Sequence, residues 1–409
     1  MDFTLDAHSR SLAQLGTKLA QEFANEADAR DRDRVFAHNA YDRMREEGLF
    51  GAVMSTDLGG GGANTTGWLS LMEALAQGDA SVALGFNMHY VATRLVSDLP
   101  NIDQTTKRRI ADLVIRDGEL ISAPLSEPSS SSLLPSTYLP SLIASRDGDG
   151  LRVTGNKMFA SIWEASDYAF MFAKPDWTDN PTHVIGFLMP TDQPDAVEVT
   201  DNWDTLGMRS TRSNQVKITD AVVPGDLVLC EFDDFLANWI IAQAHVTWGG
   251  YTGVYLGLAG AMVNWLQDAL GTRTAKGYGQ PMGYHPTISS SVGHAGTQVD
   301  AARLMMYRAA WEADTTGPGI ETCLAYLKAK NMLGSAISTV VTMGTTAGGL
   351  NSLMRSKPYE RMLRDVITGP IMPPNALACA EMAGLLSMGL DPSQAPGLAL
   401  AAGPDGASA

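Results

Sequence analysis

LGMRSTRSNQVKITDAVVP, residues 206–224, begins as a turn and ends as a strand. Gly207 opens a short loop rich in arginine. Val216 and Ile218 then alternate with Lys217 and Thr219, the period of two that a half-buried strand requires. Val222-Val223-Pro224 ends the run, because proline cannot donate to a strand ladder. Working back along the chain, Tyr168, Phe170 and Phe172 alternate with Ala169, Met171 and Ala173, and Leu151 and Val153 with Arg152 and Thr154. Asp147-Gly148-Asp149-Gly150 reads as a hairpin turn. Residues 119–225 are therefore expected to form a small antiparallel β domain.

The flanks have the period of helices. Leu12, Leu15, Leu19 and Phe23 share one helical face. Further helices are expected at Asn39–Glu47, stopped by Gly48, and at Thr66–Gln77 and Ala80–Val96, so residues 1–118 form an N-terminal helical domain. The glycines at 59–62 are followed by Ala63-Asn64-Thr65 rather than Lys-Ser or Lys-Thr, so they read as a flexible connection between helices and not as a phosphate loop. Residues 226–390 return to helix at about 235–270, 295–314, 319–332, 334–347 and 376–388, which suggests an up-and-down bundle. The Ala-, Gly- and Pro-rich residues 391–409 read as a loose tail. The fold class is α+β, mostly α.

At 409 residues, with 45% apolar and 18% charged side chains, the chain has a globular composition. A net charge of −16 excludes a general phosphate-binding surface for nucleic acid. Cys230, Cys323 and Cys379 are odd in number and widely spaced, which suggests neither a disulfide framework nor a zinc site. The N-terminus lacks a basic stretch followed by an apolar run, so no signal peptide and a cytoplasmic setting are expected. Leu236–Gln267 has no charged residue and is long enough to span a bilayer, but its polar side chains and five glycines favour a helix buried in a bundle.

Three phrases stand in a fixed order: Ser126-Glu127-Pro128 with Ser132, Gly155–Ser161 (GNKMFAS), and the opening stretch. Later come Thr345–Gly349 (TTAGG) and Arg364-Asp365. Over roughly residues 5–388 this pattern resembles the acyl-CoA dehydrogenase family of flavoproteins, a family that also includes two-component flavin monooxygenases. The resemblance implies an N-terminal helical domain, a central antiparallel β-barrel and a C-terminal four-helix bundle. It implies FAD, with FMN as the other candidate. Leu125 and Ser126 would then face the flavin ring, Phe159 would pack on it, and the Ser161 hydroxyl would sit near N5. Thr345, Gly348 and Gly349 would approach the diphosphate from a neighbouring subunit, and Ser132 would face the acyl carrier. The family's diphosphate-clamping arginine appears here as Ala275, with Lys276 or Arg273 as substitutes, and a lysine loses the bidentate fork. Serines also replace both glycines of the family's Gly-x-Gly-Ser loop after Glu-Pro. The implied partners are an acyl thioester of CoA or of a carrier protein, further copies of the chain (tetramer or dimer), and an electron-transfer flavoprotein or a flavin reductase.

The resemblance fails at the base. Dehydrogenases of the family remove an α-proton with a glutamate whose place falls on Pro373 here, and a smaller branch uses a position that falls on Gln243. Neither side chain accepts a proton at useful rates. His245, two residues beyond Gln243, and His89, in FNMHYV, are the candidate catalytic replacements, because histidine titrates in the useful range. The first functional reading is an FAD-dependent oxidoreductase acting on an acyl thioester without the usual glutamate. The second is a flavin monooxygenase, which needs no α-carbon base, although that branch often has a histidine where this chain has prolines. The third is a non-redox scaffold, against which Ser126, Phe159 and Ser161 argue.

Overall fold

A computed structural model describes residues 5–128, 130–133, 139–235 and 242–392. Five helices come first: α1 (Ala7–Asp33), α2 (His38–Glu46), α3 (Thr65–Ala76), α4 (Ala80–Asp98) and α5 (Gln104–Ala111). All but α2 start at a side-chain cap. Asp6 accepts from Ser9 N–H, Asn64 from Gly67 N–H and Asp79 from Val82 N–H, satisfying donors that have no partner within the helix. α1 buries Leu12, Leu19, Phe23 and Ala27, and Gly16 lets it close on α3. The expected flexible glycine link is instead a packed turn. Gly60, Gly61 and Gly62 donate to the carbonyls of Ser55, Gly51 and Met54, and a Cβ on Gly60 would lie 2.4 Å from Met54 O.

Among the described residues, the middle of the chain holds eight strands: β1 (Ile121–Ser122), β2 (Ile143–Asp147), β3 (Gly150–Ala160), β4 (Tyr168–Pro175), β5 (Val184–Pro190), β6 (Val197–Thr200), β7 (Asn214–Val223) and β8 (Val228–Phe232). Their order is β6-β7-β3-β2-β4-β5-β8, with β1 beside β4. Asp147 pairs with Gly150 across the expected hairpin. The sheet is mixed rather than wholly antiparallel. β3 runs against β2, and the chain then crosses over to lay β4 on the other side of β2, so β2 and β4 are parallel, as are β1 and β4. The sheet also runs past the expected boundary at 225, because β8 pairs with β5.

The last block contains α6 (Ala244–Thr272), α7 (Pro286–Thr316), α8 (Ile320–Thr339), α9 (Thr345–Gly348), α10 (Pro358–Val366) and α11 (Ala376–Ser387). A π-helical turn at Val340–Gly344 joins α8 to α9, so the two helices expected at 319–332 and 334–347 form one run. Gly334 does not stop it. Its missing Cβ makes room for α11, since a Cβ there would lie 2.6 Å from that of Ala376. The glycines of α6 serve close packing too: a Cβ on Gly257 would lie 2.0 Å from Glu73 O of α3. Among the described residues no helix is long and apolar enough to cross a membrane. Residues 236–241 of the uncharged segment, Ser129 of the serine run and residues 393–409 of the expected tail lie outside the described residues.

The opening stretch joins these blocks. Met208 N–H donates to Asp365 Oδ1 at 2.6 Å, and Arg364 Nη1 donates to Leu206 O at 2.9 Å. Arg364 also binds Asp31 of α1, and Arg361 binds Asp28 at 2.7 Å. The Arg-Asp pair of α10 therefore ties the N-terminal helices, the sheet and the bundle together. Asp365 is buried, and desolvation, opposed by Arg361, pushes its pKa up to about 6.

Candidate functional site

The site begins on β3. Two register irregularities in its pairing with β7 flank Lys157, and Phe159 takes a positive φ of 55°. A large aromatic side chain so placed normally seeks burial, yet Phe159 is 52% exposed, with its ring edge-on to Trp203. Beside it the Ser161 hydroxyl lies 2.7 Å from that of Ser213, which lies 2.6 Å from Thr211 Oγ1. Thr211 donates to Met208 O at 2.8 Å. The Ser213 proton can point to either neighbour, so when it points to Ser161, the Ser161 proton is free for an acceptor outside the chain. Ser213 and Thr211 were not singled out from the sequence. Their signal was the run Ser210–Asn214, in which four of five residues carry short polar side chains.

Ser126 is pinned beside this group. Its carbonyl accepts from Met158 N–H at 3.0 Å, and Leu125 precedes it, half-buried against the core. Glu127 and Lys157 supply the reason for this geometry. They form an ion pair at 2.7 Å with side chains only 2% and 1% exposed. Glu127 also accepts from Ser141 N–H at 2.6 Å and from the Ser141 hydroxyl. Burial pushes the Lys157 pKa down, and Glu127 opposes it. The charged members of the Ser-Glu-Pro and Gly-Asn-Lys phrases thus hold the loop to the strand. Ser131, where the family has one of those glycines, has no positive φ and so needs no glycine there.

The bundle meets the same loop. Asn375 N–H donates to Ser132 O at 2.8 Å, which places the expected carrier-facing residue against the segment where a base was sought. That segment is held from behind. Tyr251 donates to Pro373 O at 2.9 Å, Lys330 to Gly369 O at 2.6 Å and Asn331 to Ala376 O at 2.9 Å. The Lys330 ammonium is fully buried, 5.1 Å from the centre of the Tyr251 ring, and burial pushes its pKa down to about 8. No carboxylate or histidine occurs from Val366 to Ala380.

The candidate bases lie elsewhere. His89 is fully buried in α4, with both ring nitrogens engaged. Ile121 N–H donates to Nδ1 at 3.0 Å, and Nε2 donates to Phe50 O at 2.9 Å. Burial pushes its pKa down to about 4. With neither nitrogen available, His89 is a strap between α4, the loop before α3 and β1, not a base. His245 begins the first turn of α6, where burial, with a smaller contribution from Arg94, also pushes its pKa down to about 4. Its Nε2 is 4.0 Å from Asp98 Oδ2, and its Nδ1 has no partner among the described residues. Gln243 is the N-cap residue of the same helix.

The remaining candidates form a separate group on the bundle. Lys276 and Arg273 are exposed after α6, without an ion-pair partner among the described residues. Gly349 has a φ of 60° with open space where a Cβ would stand, whereas Gly348 is packed against Ser352. Thr345 Oγ1 is buried beside the Tyr359 hydroxyl. No hydrogen bond among the described residues links this group to Ser126, Phe159 or Ser161.

Comparison with known proteins bears on the family and the fold. Residues 7–107 match the model for the acyl-CoA dehydrogenase N-terminal domain, and residues 250–371 match that for the acyl-CoA dehydrogenase C-terminal domain. A putative acyl-CoA dehydrogenase, YdbM of Bacillus subtilis, is 23% identical over 359 residues, covering 87% of this chain and 91% of its own. The butyryl-CoA dehydrogenase structure from Megasphaera elsdenii superposes with a TM-score of 0.85 at 19% identity, covering 95% of this chain and 100% of that one. FMN-bound TdsC from Paenibacillus sp. A11-2 does so at 0.82 and 19%, covering 94% and 99%. This chain belongs to the acyl-CoA dehydrogenase family.

Proposed function

We propose that this chain is a flavin-dependent oxidoreductase of the oxygen-using kind, which oxidises its substrate without carboxylate-assisted removal of an α-proton. The observation that carries this reading is the segment at Pro373. Tyr251 and Lys330 hold its carbonyls, it faces Ser132 across the Asn375 bond, and it has no proton acceptor of the required strength. The acyl-thioester dehydrogenase reading, placed first on sequence, needs such a group there.

The residues fit a flavin. Phe159 offers an exposed aromatic face beside Ser126, and Ser161 offers a hydroxyl whose proton Ser213 can free. A bound flavin supplies two-electron redox chemistry. Ser161 would donate to the ring, and Leu125 and Ser126 would orient its edge. The open backbone at Gly349 and the exposed Lys276 suit the phosphate-bearing tail, reached from a second copy of the chain. A single lysine in place of an arginine clamp favours exchange of the flavin with a reductase and leaves FMN as well as FAD admissible. Oligomerisation is supported by Leu350, Leu377 and Met354 on the bundle, which are 86%, 72% and 54% exposed. A flavin-loaded monomer in sedimentation would contradict that assembly.

The test of function is to mix the protein with chemically reduced FMN or FAD and follow reoxidation by oxygen. Saturable, protein-dependent change in that rate supports the proposal. Reoxidation unchanged by the protein, combined with reduction of bound flavin by an acyl-CoA under nitrogen, would replace it with desaturation. A protein that binds neither flavin would leave the scaffold reading.

A further inference from the structure

Ser161 is the outer end of a row of hydroxyls. Its Oγ lies 2.7 Å from Ser213 Oγ, which lies 2.6 Å from Thr211 Oγ1, and Thr211 Oγ1 lies 2.8 Å from Met208 O. Ser213 and Thr211 are 5% and 1% exposed, whereas Ser161 is half-buried beside the exposed Phe159 ring. Ile162 N–H donates to Thr211 O at 3.1 Å and holds Ser161 against this stretch. The three hydroxyls have no further hydrogen-bond partner among the described residues.

Each hydroxyl has one proton, and each of the two contacts between hydroxyls must hold one. Two arrangements meet that condition. In the inward one, Ser161 donates to Ser213, Ser213 to Thr211 and Thr211 to Met208 O, so Ser161 presents only lone pairs outward. In the outward one, Thr211 donates to Ser213, Ser213 donates to Ser161, and the Ser161 proton points out of the row. A carbonyl at the inner end would ordinarily fix the inward direction, because losing its donor leaves a buried acceptor unpaired. Met208 O escapes this. It also accepts from Trp203 Nε1 at 2.9 Å and from Thr211 N–H at 3.3 Å, so it stays satisfied when the Thr211 hydroxyl turns away.

A flavin asks for both directions. Its ring nitrogen N5 has a lone pair and accepts when oxidised, and carries hydrogen and donates after two-electron reduction. We infer that Ser161, Ser213 and Thr211 form a reversible relay, which lets Ser161 donate to an oxidised flavin and accept from a reduced one. The change is a rotation of three O–H bonds, and no proton leaves the row. Ser213 and Thr211 are then positioning residues that act through Ser161. The relay rests on the flavin reading proposed above.

Two substitutions push the row in opposite directions. Thr211→Val keeps the shape but removes the inner acceptor, so Ser213 can donate only to Ser161 and the row is held outward. Reduced flavin is then expected to bind about tenfold more weakly relative to oxidised flavin, the worth of one hydrogen bond of about 1.4 kcal/mol, and the two-electron potential to fall by about 30 mV. Trp203→Phe removes one donor to Met208 O, so the carbonyl draws on the Thr211 proton and the row tips inward. The relative affinity for reduced flavin is expected to rise about threefold, or about 15 mV in potential, since Thr211 N–H still covers the carbonyl. Thr211→Ser keeps the hydroxyl and is expected to keep the wild-type potential. The readouts are the dissociation constants of oxidised and dithionite-reduced FMN and FAD under nitrogen, and the potential of the bound flavin. No shift in Thr211→Val, an equal shift in Thr211→Ser, or shifts of the same sign in Thr211→Val and Trp203→Phe would overturn the relay while leaving the flavin reading intact. A wild type that binds neither flavin would overturn both. Where Thr211→Val fails to fold, an unchanged or lowered potential in Trp203→Phe overturns the relay by itself.

Discussion

His89 offers a quantitative separation of structural and catalytic roles. Its two hydrogen bonds fix one neutral tautomer, because Ile121 N–H can only donate and Phe50 O can only accept. A second proton would have to sit on Nδ1, against the Ile121 N–H, in a site without solvent. The folded pKa of about 4 lies below the ordinary 6.5. The unfolded chain therefore takes up the proton first, and stability falls as pH drops from 6.5 toward 4. The full difference of roughly 2.5 pH units corresponds to about 3 kcal/mol, of which about 2 kcal/mol is lost between pH 7 and pH 5. The perturbation is His89→Gln, which keeps a donor and an acceptor but does not titrate. The assay is urea unfolding at both pH values. The variant is expected to be less stable at pH 7 by about 1–3 kcal/mol and to lose about 2 kcal/mol less than the wild type on going to pH 5. The reasoning fails if wild type and variant lose stability equally. It fails also if the variant keeps its stability and flavin yet loses all turnover, since that would make His89 catalytic.

Three other perturbations probe the frame around the site. Lys157→Met leaves Glu127 buried without its ammonium and should cost about 3–5 kcal/mol in denaturant unfolding, with weaker flavin binding; adding Glu127→Gln should recover part of both. Gly207→Ala places a Cβ 2.1 Å from Arg364 O, so the seam between sheet and bundle must open, at a cost of about 2–3 kcal/mol read from the unfolding midpoint. Asp365 has a raised folded pKa, about 6 against 3.8, so its contribution is present below pH 3.8 and is lost as pH rises through 6. Asp365→Asn keeps the acceptor for Met208 N–H and should remove about 2 kcal/mol of pH dependence between pH 4 and pH 6, measured by unfolding at both.

Much of the frame is legible in the sequence, because it depends on periodicity and local turn chemistry. The alternation at Val216 and Ile218 gives β7, and Asp147–Gly150 gives the hairpin that starts β3. What is not legible is set by partners distant in the chain. Gly334 resembles a helix stop until Ala376 is seen to need its missing Cβ. The glycines at 60 and 61 resemble slack chain until the carbonyls of Met54 and Ala52 are seen against them. β8 extends the sheet beyond the proline at 224 because β5 offers an edge, which no local pattern records. At the site, Phe159 and Ser161 are readable as a phrase, whereas the Glu127–Lys157 pair and the Ser161–Ser213–Thr211 chain are long-range geometry. The histidines at 89 and 245 look alike in sequence; one is bonded at both nitrogens and the other opens on a pocket.

The account turns on a family flavin site whose bundle loop lacks a base. The most direct measurement is anaerobic titration of the flavin-loaded protein with butyryl-, octanoyl- and palmitoyl-CoA, following the visible absorbance of the oxidised flavin. The absorbance is expected to persist through all three titrations while dithionite bleaches it at once. Rapid, stoichiometric bleaching by any of the thioesters would contradict the account, and would mean that some group other than a residue at Pro373 or Gln243 removes the proton.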